Sequence, residues 1–332
     1  MKRFSVLKTV FLLLGTVIGA GFASGREVFM FFGSFNMGAL FCILLCGVCF
    51  FLVCLMFLNV SDKAEFNCFL KSKIGAVFNF IMIFIMLISV SALTAAITTS
   101  INVYVSFASL CICLFVVFRG IEWLKGVNFV LVPIIVATLM IVSIKSSLSG
   151  VFISLTKPLV YNAFLYVGMN IFLASEVLVD ASKSLTKNEK FWSAIISSIL
   201  FVTILIVLTV GFSFGGINSS VEMPILYMSK KMSGIFSKIY LFVLWCGIFT
   251  TLISIVYSMK KKLESTFSFK GLTTVIFCMV AFCLSFFGFG KIVSIFYPLE
   301  GVIGAIYCAF IFIFVFVMRS HAQKSSKIKA WK

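Results

Sequence analysis

The feature that most constrains this chain is a succession of ten apolar runs of membrane-spanning length, separated by short breaks. A helix needs about 20 consecutive apolar residues to cross a bilayer, and the ten runs use nearly all of the 332 residues. Only 11% of the residues are charged, whereas soluble domains carry about 25%. We therefore predict an all-α integral membrane protein with a single transmembrane domain over residues 1–332. The predicted spans are 5–33, 36–58, 74–99, 101–118, 123–146, 157–182, 188–212, 234–258, 270–289 and 291–318.

Basic residues are distributed unevenly between the two sides of this predicted membrane domain. With a cytoplasmic N-terminus, twenty Lys and Arg residues fall in inner segments and seven in outer segments. Cytoplasmic loops of membrane proteins carry such an excess, so we predict the cell inner (plasma) membrane with both termini in the cytoplasm. The net charge of +17 is then a topology signal and indicates no nucleic-acid partner. The basic tail, 319–332, is also suited to contact anionic lipid.

The first span contains the stretch GTVIGAGFASGREVFMFFG, residues 15–33, with four glycines ahead of a charged pair. Each interior glycine weakens a helix by roughly 1 kcal/mol relative to alanine, and backbone groups freed in hydrocarbon must find partners. One interpretation is that Ile18 to Ser24 is unwound and that its free backbone groups bind a ligand. The alternative is close helix packing, which small residues four apart permit.

An internal repeat supports the first interpretation. At an offset of 149 residues, 18–28 aligns without a gap to 167–177, matching Gly19 to Gly168 and Glu27 to Glu176. Five spans separate the two segments, so the second half of the chain enters the membrane inverted. We predict repeats over about 5–146 and 157–318, with the sixth span also interrupted near Gly168.

Charged residues inside the spans are expensive and should face a cavity or a partner. We predict a pair between Arg26 and Glu300 across the outer mouth, with Glu27 beside it. For Asp180 the favoured interpretation is an interfacial pair with Lys183. For Glu176, a cavity-facing, proton-linked role and an ordinary structural role both remain open.

Two further segments allow two interpretations each. Thr250 and Thr251 place adjacent hydroxyl groups inside the eighth span, where they are either ligands for a hard cation such as sodium or donors to carbonyls of their own helix. Residues 213–233 are either a lid over the outer face or a plain linker.

Four motifs resemble those of the YkvI-like membrane proteins, a branch of the amino acid–polyamine–organocation superfamily that shares the LeuT fold. They are GTVIGAGFASGREVFMFFG, YVGMN, GIFTTLIS and FYPLEGVIG, in that order along the chain. The resemblance implies a five-plus-five inverted repeat whose first and sixth helices are discontinuous around the substrate. It also implies alternating access coupled to sodium or to a proton.

The same resemblance implies site residues by position. A sodium site would use the carbonyl groups of Gly15, Ile18 and Gly247 and the hydroxyl groups of Thr250 and Thr251. The substrate would bind backbone groups of Gly19, Ala20, Gly21, Phe22, Val167, Gly168 and Asn170. Some proton-coupled relatives place a lysine from the fifth span at the sodium position, and Lys125 keeps that alternative open. Gating or proton-linked roles would fall to Arg26, Glu27, Glu176 and Glu300.

Together these features predict a secondary transporter, a cation-coupled symporter of an amino acid or related small organic solute. No cofactor is expected apart from Na⁺ or H⁺ as the coupling ion, and the expected partners are a small-molecule substrate and the lipid bilayer. Oligomeric state is not specified. An enzyme is not expected, because no nucleophile–base pair or carboxylate dyad is apparent in the sequence. A membrane enzyme acting on lipid, a passive channel and a non-transporting receptor or scaffold are the alternatives.

Overall fold

A computed structural model describes residues 2–60, 72–148, 152, 159–217, 221–266 and 271–330. Throughout these residues the regular secondary structure is helical. The helices are α1 (Lys2–Val17), α2 (Ala20–Ser24), α3 (Arg26–Phe32), α4 (Met37–Asn59), α5 (Lys73–Ser100), α6 (Val103–Arg119), α7 (Ile121–Ser147), α8 (Tyr161–Ser182), α9 (Lys187–Gly215), α10 (Pro224–Met232), α11 (Gly234–Thr266), α12 (Leu272–Leu284) and α13 (Phe289–Ala330), with a 3₁₀ turn over Ser285–Phe287.

Seven of the described helices are long and apolar enough to cross a membrane: α4, α5, α7, α8, α9, α11 and the first part of α13. Three shorter apolar helices accompany them, in α1, in α6 and in α12 with its 3₁₀ turn. The chain is therefore a multi-pass helical membrane protein, as the apolar runs predict. Five of the basic residues in the topology count lie outside the described residues, namely Lys63, Lys71, Lys157, Lys270 and Lys332.

The N-terminal helices lie at the centre of the bundle and not at its edge. Helix α1 packs against α7, α9, α11 and α8, and α2 packs against α11. Leu12, Leu14 and Phe22 have no exposed surface. In contrast, large apolar side chains such as Phe80 and Tyr104 are more than three-quarters exposed on the periphery, where a bilayer would cover them. The first apolar run is thus the core around which the other helices pack.

The predicted interruption of the first span is present but narrower than expected. Helix α1 ends at Val17, α2 begins at Ala20, and Gly19 has extended backbone, with φ −87° and ψ −164°. The prediction that Ile18 to Ser24 is unwound as a whole is wrong, because Ala20–Ser24 forms a short helix. A second interruption follows at Gly25, whose φ of 82° is a left-handed conformation that glycine adopts without strain.

The predicted discontinuity of the sixth span is wrong within the structure. Helix α8 runs without a break from Tyr161 to Ser182, through Gly168 and Asn170. Glycine at 168 serves close packing instead, because a Cβ atom there would lie 2.4 Å from the backbone nitrogen of Ala305. A Cβ atom on Gly304 would in turn lie 2.2 Å from the carbonyl oxygen of Gly168. The small residues therefore bring the backbones of α8 and α13 together.

Part of the segment predicted as a lid or a linker forms a packed helix. Helix α10 lies against α11, α7 and α2, and its residues Ile225 and Met228 are almost completely buried. A Cβ atom on Gly25 would lie 2.7 Å from the Ile225 side chain, so α10 covers the end of α2 closely. Residues 218–220 of the predicted lid lie outside the described residues.

Candidate functional site

At the interruption between α1 and α2, a hydrogen bond within the helix is replaced by a hydrogen bond to another helix. In a continuous helix the N–H of Gly19 would donate to the carbonyl of Gly15. Here it donates to the carbonyl of Val17 at 2.8 Å, and the Gly15 carbonyl accepts from Thr251 Oγ1 of α11 at 2.9 Å. The freed carbonyl is thus satisfied by a buried hydroxyl group, as backbone at membrane depth requires.

The five residues of the predicted sodium site meet around this contact. Thr250 Oγ1 donates to the carbonyl of Gly247 at 2.9 Å, and a Cβ atom on Gly247 would lie 3.6 Å from the Ile18 carbonyl oxygen. Together with the bond from Thr251 to Gly15, these contacts join the α1 interruption to the middle of α11. For Thr250, the expected alternative of donation within its own helix is what the structure shows. Thr251 instead reaches across to α1.

Asn128 of α7 is a neighbour of this cluster that the sequence analysis missed. Its side chain is completely buried, and Nδ2 donates to the Leu124 carbonyl at 2.9 Å. Its Oδ1 atom has no hydrogen-bond partner and lies where a Cβ atom on Gly15 would be, 1.7 Å from that position. Carbonyl, hydroxyl and amide oxygens together are the donor set that a hard cation prefers.

A cavity of about 30 Å³ lies beside the interruption, which is room for about one water-sized group. Of the residues predicted to contact substrate or sodium, Gly19, Ala20, Asn170 and Thr251 line it. Two of the predicted gating residues, Glu27 and Glu300, also line it. The remaining lining residues, which sequence analysis did not select, are Thr16, Val17, Ser89, Leu93, Met169, Leu173, Ile255 and Tyr297.

The other predicted substrate residues have supporting positions. Gly21 leaves space for a carboxyl group, because a Cβ atom there would lie 2.0 Å from Glu27 Oε1. Phe22 packs its ring against Phe201, with 6.0 Å between ring centroids. Val167 is buried in the core cluster, and Gly168 packs against α13. Because α8 is continuous, its carbonyl groups near these residues belong to the helix, whereas the resemblance implied that they were free to bind substrate.

Two carboxyl groups meet at the cavity. Glu27 of α3 and Glu300 of α13 are 5% and 3% exposed. Tyr297 lines the cavity beside Glu27, and Ser89 Oγ donates to Glu300 Oε1 at 3.4 Å. Oε2 of Glu27 is buried without a hydrogen-bond partner. This arrangement places two acidic side chains next to each other deep in the bundle.

The predicted pair between Arg26 and Glu300 is wrong. Arg26 Nη1 donates to the backbone carbonyl of Val221 at 3.0 Å, and Arg26 lines a separate cavity of about 260 Å³ with Glu222 and Lys291. Among the ion pairs of the described residues, none joins Arg26 to Glu300. Adjacent helical residues point about 100° apart, so Glu27 faces the cavity while Arg26 faces the outer loop.

The acidic residues of α8 form ion pairs at its C-terminal half. Glu176 Oε1 contacts Lys262 Nζ at 2.7 Å, and the lysine side chain is 2% exposed. Asp180 contacts Lys183, as predicted, and also Lys261 at 3.3 Å. Glu176 is paired with Lys262 and is not among the residues that line the cavity; its proton-linked role stays a prediction. These pairs hold α8 against α11 at the predicted cytoplasmic side.

Lys125 is likewise engaged away from the cavity. It is 6% exposed, and its Nζ contacts Glu122 Oε1 at 2.8 Å and Ser184 Oγ at 3.2 Å. It thus ties the start of α7 to the segment that follows α8 and does not line the cavity.

Comparison with known proteins gives one broad similarity. The chain is 26% identical to the Uncharacterized membrane protein YkvI of Bacillus subtilis (strain 168), over 92% of this chain and 96% of that protein. No family model matches the chain. The similarity covers most of the chain and supports the resemblance to YkvI-like membrane proteins. It assigns no activity to the site.

Proposed function

We propose that the chain is a secondary active transporter that carries a small organic solute by alternating access, coupled to a cation. The observation that carries this proposal is the interruption between α1 and α2 opposite Thr250 and Thr251. Interrupted backbone at membrane depth is tolerated where it is buried in protein or lines a cavity, and here it does both. Transporters with inverted repeats place substrate and coupling-ion sites at such interruptions.

In this proposal the ten apolar segments are ten membrane crossings of a LeuT-like fold in the amino acid–polyamine–organocation superfamily. In this arrangement the first crossing would consist of α1 to α3, and the seven long and three shorter apolar helices would supply the ten crossings. The continuous α8 departs from the interrupted sixth helix of that fold, so the first repeat alone contributes open backbone. Both termini are placed in the cytoplasm, with the protein in the plasma membrane.

The coupling-ion site in this proposal is the oxygen cluster of Gly15, Ile18, Gly247, Thr250 and Thr251. Sodium binds oxygen ligands, and the unpartnered amide oxygen of Asn128 adds one more at the same place. The solute would bind at the adjoining cavity, in contact with Gly19 and Asn170, after the cavity widens from the room for one water-sized group that it has in this structure. Amino acids and related small organic molecules are the first solutes to test.

The test is uptake of a labelled amino-acid and amine panel into proteoliposomes under an inward sodium gradient, an inward proton gradient or neither. The variants are Thr251→Val and Thr250→Val, which remove a hydroxyl group with little change of volume. Thr203→Val is the matched control, because Thr203 is exposed and bonds only to the carbonyl of Ile199 in its own helix.

Sodium-driven accumulation that Thr251→Val abolishes and Thr203→Val preserves is the expected result. Proton-driven accumulation that is indifferent to both threonine variants would contradict the assignment of the coupling ion to the oxygen cluster. Flux that no gradient drives uphill would indicate a passive channel. No accumulation of any panel member would contradict the transport proposal and favour a receptor or scaffold on the same fold.

A further inference from the structure

Two carboxyl side chains approach each other at the cavity without a basic partner. Among the described residues that line the cavity none is Lys, Arg or His, and Glu27 Oε2 has no hydrogen-bond partner at all. The neighbours of the pair are Ser89 from α5, Tyr297 from α13 and, beside Glu27, Tyr166 from α8. The site therefore has acceptor oxygens and hydroxyl groups but no fixed positive charge.

Two adjacent carboxylates at this depth cannot both remain charged when the cavity is empty. A single buried charge in a membrane costs several kcal/mol, and close carboxyl groups retain a proton because like charges repel. The contrast is Glu176, whose charge is balanced by Lys262 at 2.7 Å. No basic side chain among the described lining residues balances the charge of Glu27 and Glu300. A proton or a cation that enters the cavity must therefore balance it.

The walls of the cavity indicate what kind of positive charge fits. Beside the carboxyl groups they contain six apolar side chains, which are Val17, Ala20, Leu93, Met169, Leu173 and Ile255. The walls also carry oxygen-bearing side chains, those of Thr16, Asn170 and Thr251; an inorganic cation would use these oxygens but would leave the apolar side chains without a contact. An organic ammonium ion matches both parts, because its charged nitrogen contacts carboxyl oxygens while its carbon atoms contact the apolar walls. The cavity of about 30 Å³ has room for the ammonium group itself, and the carbon atoms require the widening that alternating access provides. A carboxylate on the same solute would find no basic side chain here.

We propose that Glu27 and Glu300 form one site that binds either a proton or the ammonium group of the transported solute. This inference rests on the proposed transport function and narrows its substrate to a small organic amine. When the solute enters as an ammonium ion, one carboxylic acid of the pair loses its proton and becomes the carboxylate that contacts the ammonium nitrogen. One proton leaves the site for each amine bound. Binding and proton release are therefore obligatorily linked.

Chemical modification tests the protonated state without requiring transport. N,N′-dicyclohexylcarbodiimide adds to protonated carboxyl groups in apolar surroundings, and a path to Glu300 exists. A crevice of about 120 Å³ between α5 and α13 is lined by Phe80, Phe84 and Leu299 and reaches Glu300 and Ser89. In purified full-length protein at neutral pH, mass spectrometry should find the label on Glu300 or Glu27, with none on Glu176.

Ligand protection tests the ammonium preference with probes matched in size. Ethylamine should slow the labelling several-fold and release about one proton per protein in weakly buffered solution. Ethanol lacks the charge, L-alanine is ethylamine with an added carboxylate, and sodium chloride supplies an inorganic cation; none of the three should protect. Glu300→Gln and Glu27→Gln should each abolish the proton release, whereas Glu122→Gln, on an exposed side chain, should preserve it.

Each remaining outcome contradicts either this inference or the transport proposal. Labelling of Glu176 at the same rate as Glu27 and Glu300 would mean that the two cavity carboxyl groups are no more protonated than an ion-paired one, which contradicts the inference. Equal protection by ethanol would mean simple filling of the cavity, protection by alanine would mean an amino-acid site, and protection by sodium would mean an inorganic cation site. Gradient-driven amino-acid uptake without ethylamine protection would leave the transport proposal intact and contradict this one. Ethylamine protection without uptake of any solute would leave the binding site intact and contradict the transport proposal. Size-exclusion profiles verify that each Gln variant is folded.

Discussion

Residues 18–28 and 167–177 align in sequence but have different structural roles. In the first segment Gly19 lies in a helix interruption, and Glu27 faces a cavity without a basic partner. In the second, Gly168 packs inside the continuous helix α8, and Glu176 is paired with Lys262. The same residue types therefore build an open site in one half of the molecule and a rigid support in the other. What differs is the neighbouring helix that each residue meets.

The largest expected effect comes from removing the positive charge of Lys262, which is paired with Glu176. Lys262→Met leaves the Glu176 carboxylate, 14% exposed, without its partner, and breaking a buried pair from one side costs about 3–5 kcal/mol. Chemical denaturation in detergent should show this loss in the free energy of unfolding. Lys260→Met is the control, because its pair with Glu264 is more exposed and should contribute under about 1 kcal/mol.

A double variant makes this test specific to charge. Lys262→Met combined with Glu176→Gln removes both charges and should recover most of the lost stability. If the double variant is as unstable as Lys262→Met alone, the loss comes from packing of the lysine stem and the paired-charge account of α8 is wrong.

The next effect is steric and concerns Gly168. Gly168→Ala places a methyl group 2.4 Å from backbone nitrogen and 2.9 Å from a carbonyl oxygen of α13. Backbone cannot rotate away as a side chain can, so we expect a destabilisation of about 1–3 kcal/mol, the range for overpacking. Thermal unfolding of the purified variants measures it. Gly126→Ala, also inside a helix but with nothing within 4 Å, should be neutral or stabilising.

We expect Gly19→Ala to slow transport while leaving stability nearly unchanged. Its φ of −87° suits any residue, and the three atoms nearest to the new methyl group all belong to the Thr251 side chain, the closest being Cγ2 at 3.1 Å. We expect a stability change within about 0.5 kcal/mol, as for substitutions that create no clash with backbone, but severalfold slower uptake in proteoliposomes. A Gly19→Ala protein that unfolds as easily as Gly168→Ala would show that the two glycines serve packing alike.

The smallest expected effect is a rescue. Thr251→Ser keeps the hydroxyl that donates to the Gly15 carbonyl and removes the methyl group that a Cβ atom at position 19 would contact. Added to Gly19→Ala, it should restore part of the lost uptake, whereas each change alone slows it. The coupling measured by this double-mutant cycle would vanish if Gly19 acted only through backbone conformation.

Some of this structure could be predicted from sequence because the responsible contacts are local. The apolar runs indicate the helices, the glycines of the first run indicate its interruption, and Asp180 and Lys183 are three residues apart on one helix face. The cluster of Gly15, Gly247 and Thr251 was placed by resemblance to a known fold and by none of these local patterns.

Other features depend on partners far along the chain. A glycine that breaks a helix and a glycine that packs against another backbone look identical until Gly304 is known to face Gly168. The pair of Arg26 with Glu300 failed because the sequence does not specify how α3 is rotated about its axis. The positions of Tyr297 and Ser89 at the cavity could not be predicted from the sequence, because a hydroxyl group in an apolar run usually bonds to its own helix.

Helix α2 has a consequence for how motion in this protein is detected. Five residues form too short a helix to persist alone in water, so its order comes from its surroundings: the hydroxyl of Tyr240, which donates to the Ala23 carbonyl, and the side chain of Ile225 against Gly25. Any rearrangement that separates α10 or α11 from it removes that support. The amide hydrogens of residues 20–24 would then exchange with deuterated solvent. The exchange rate of this segment would therefore report how often the bundle opens.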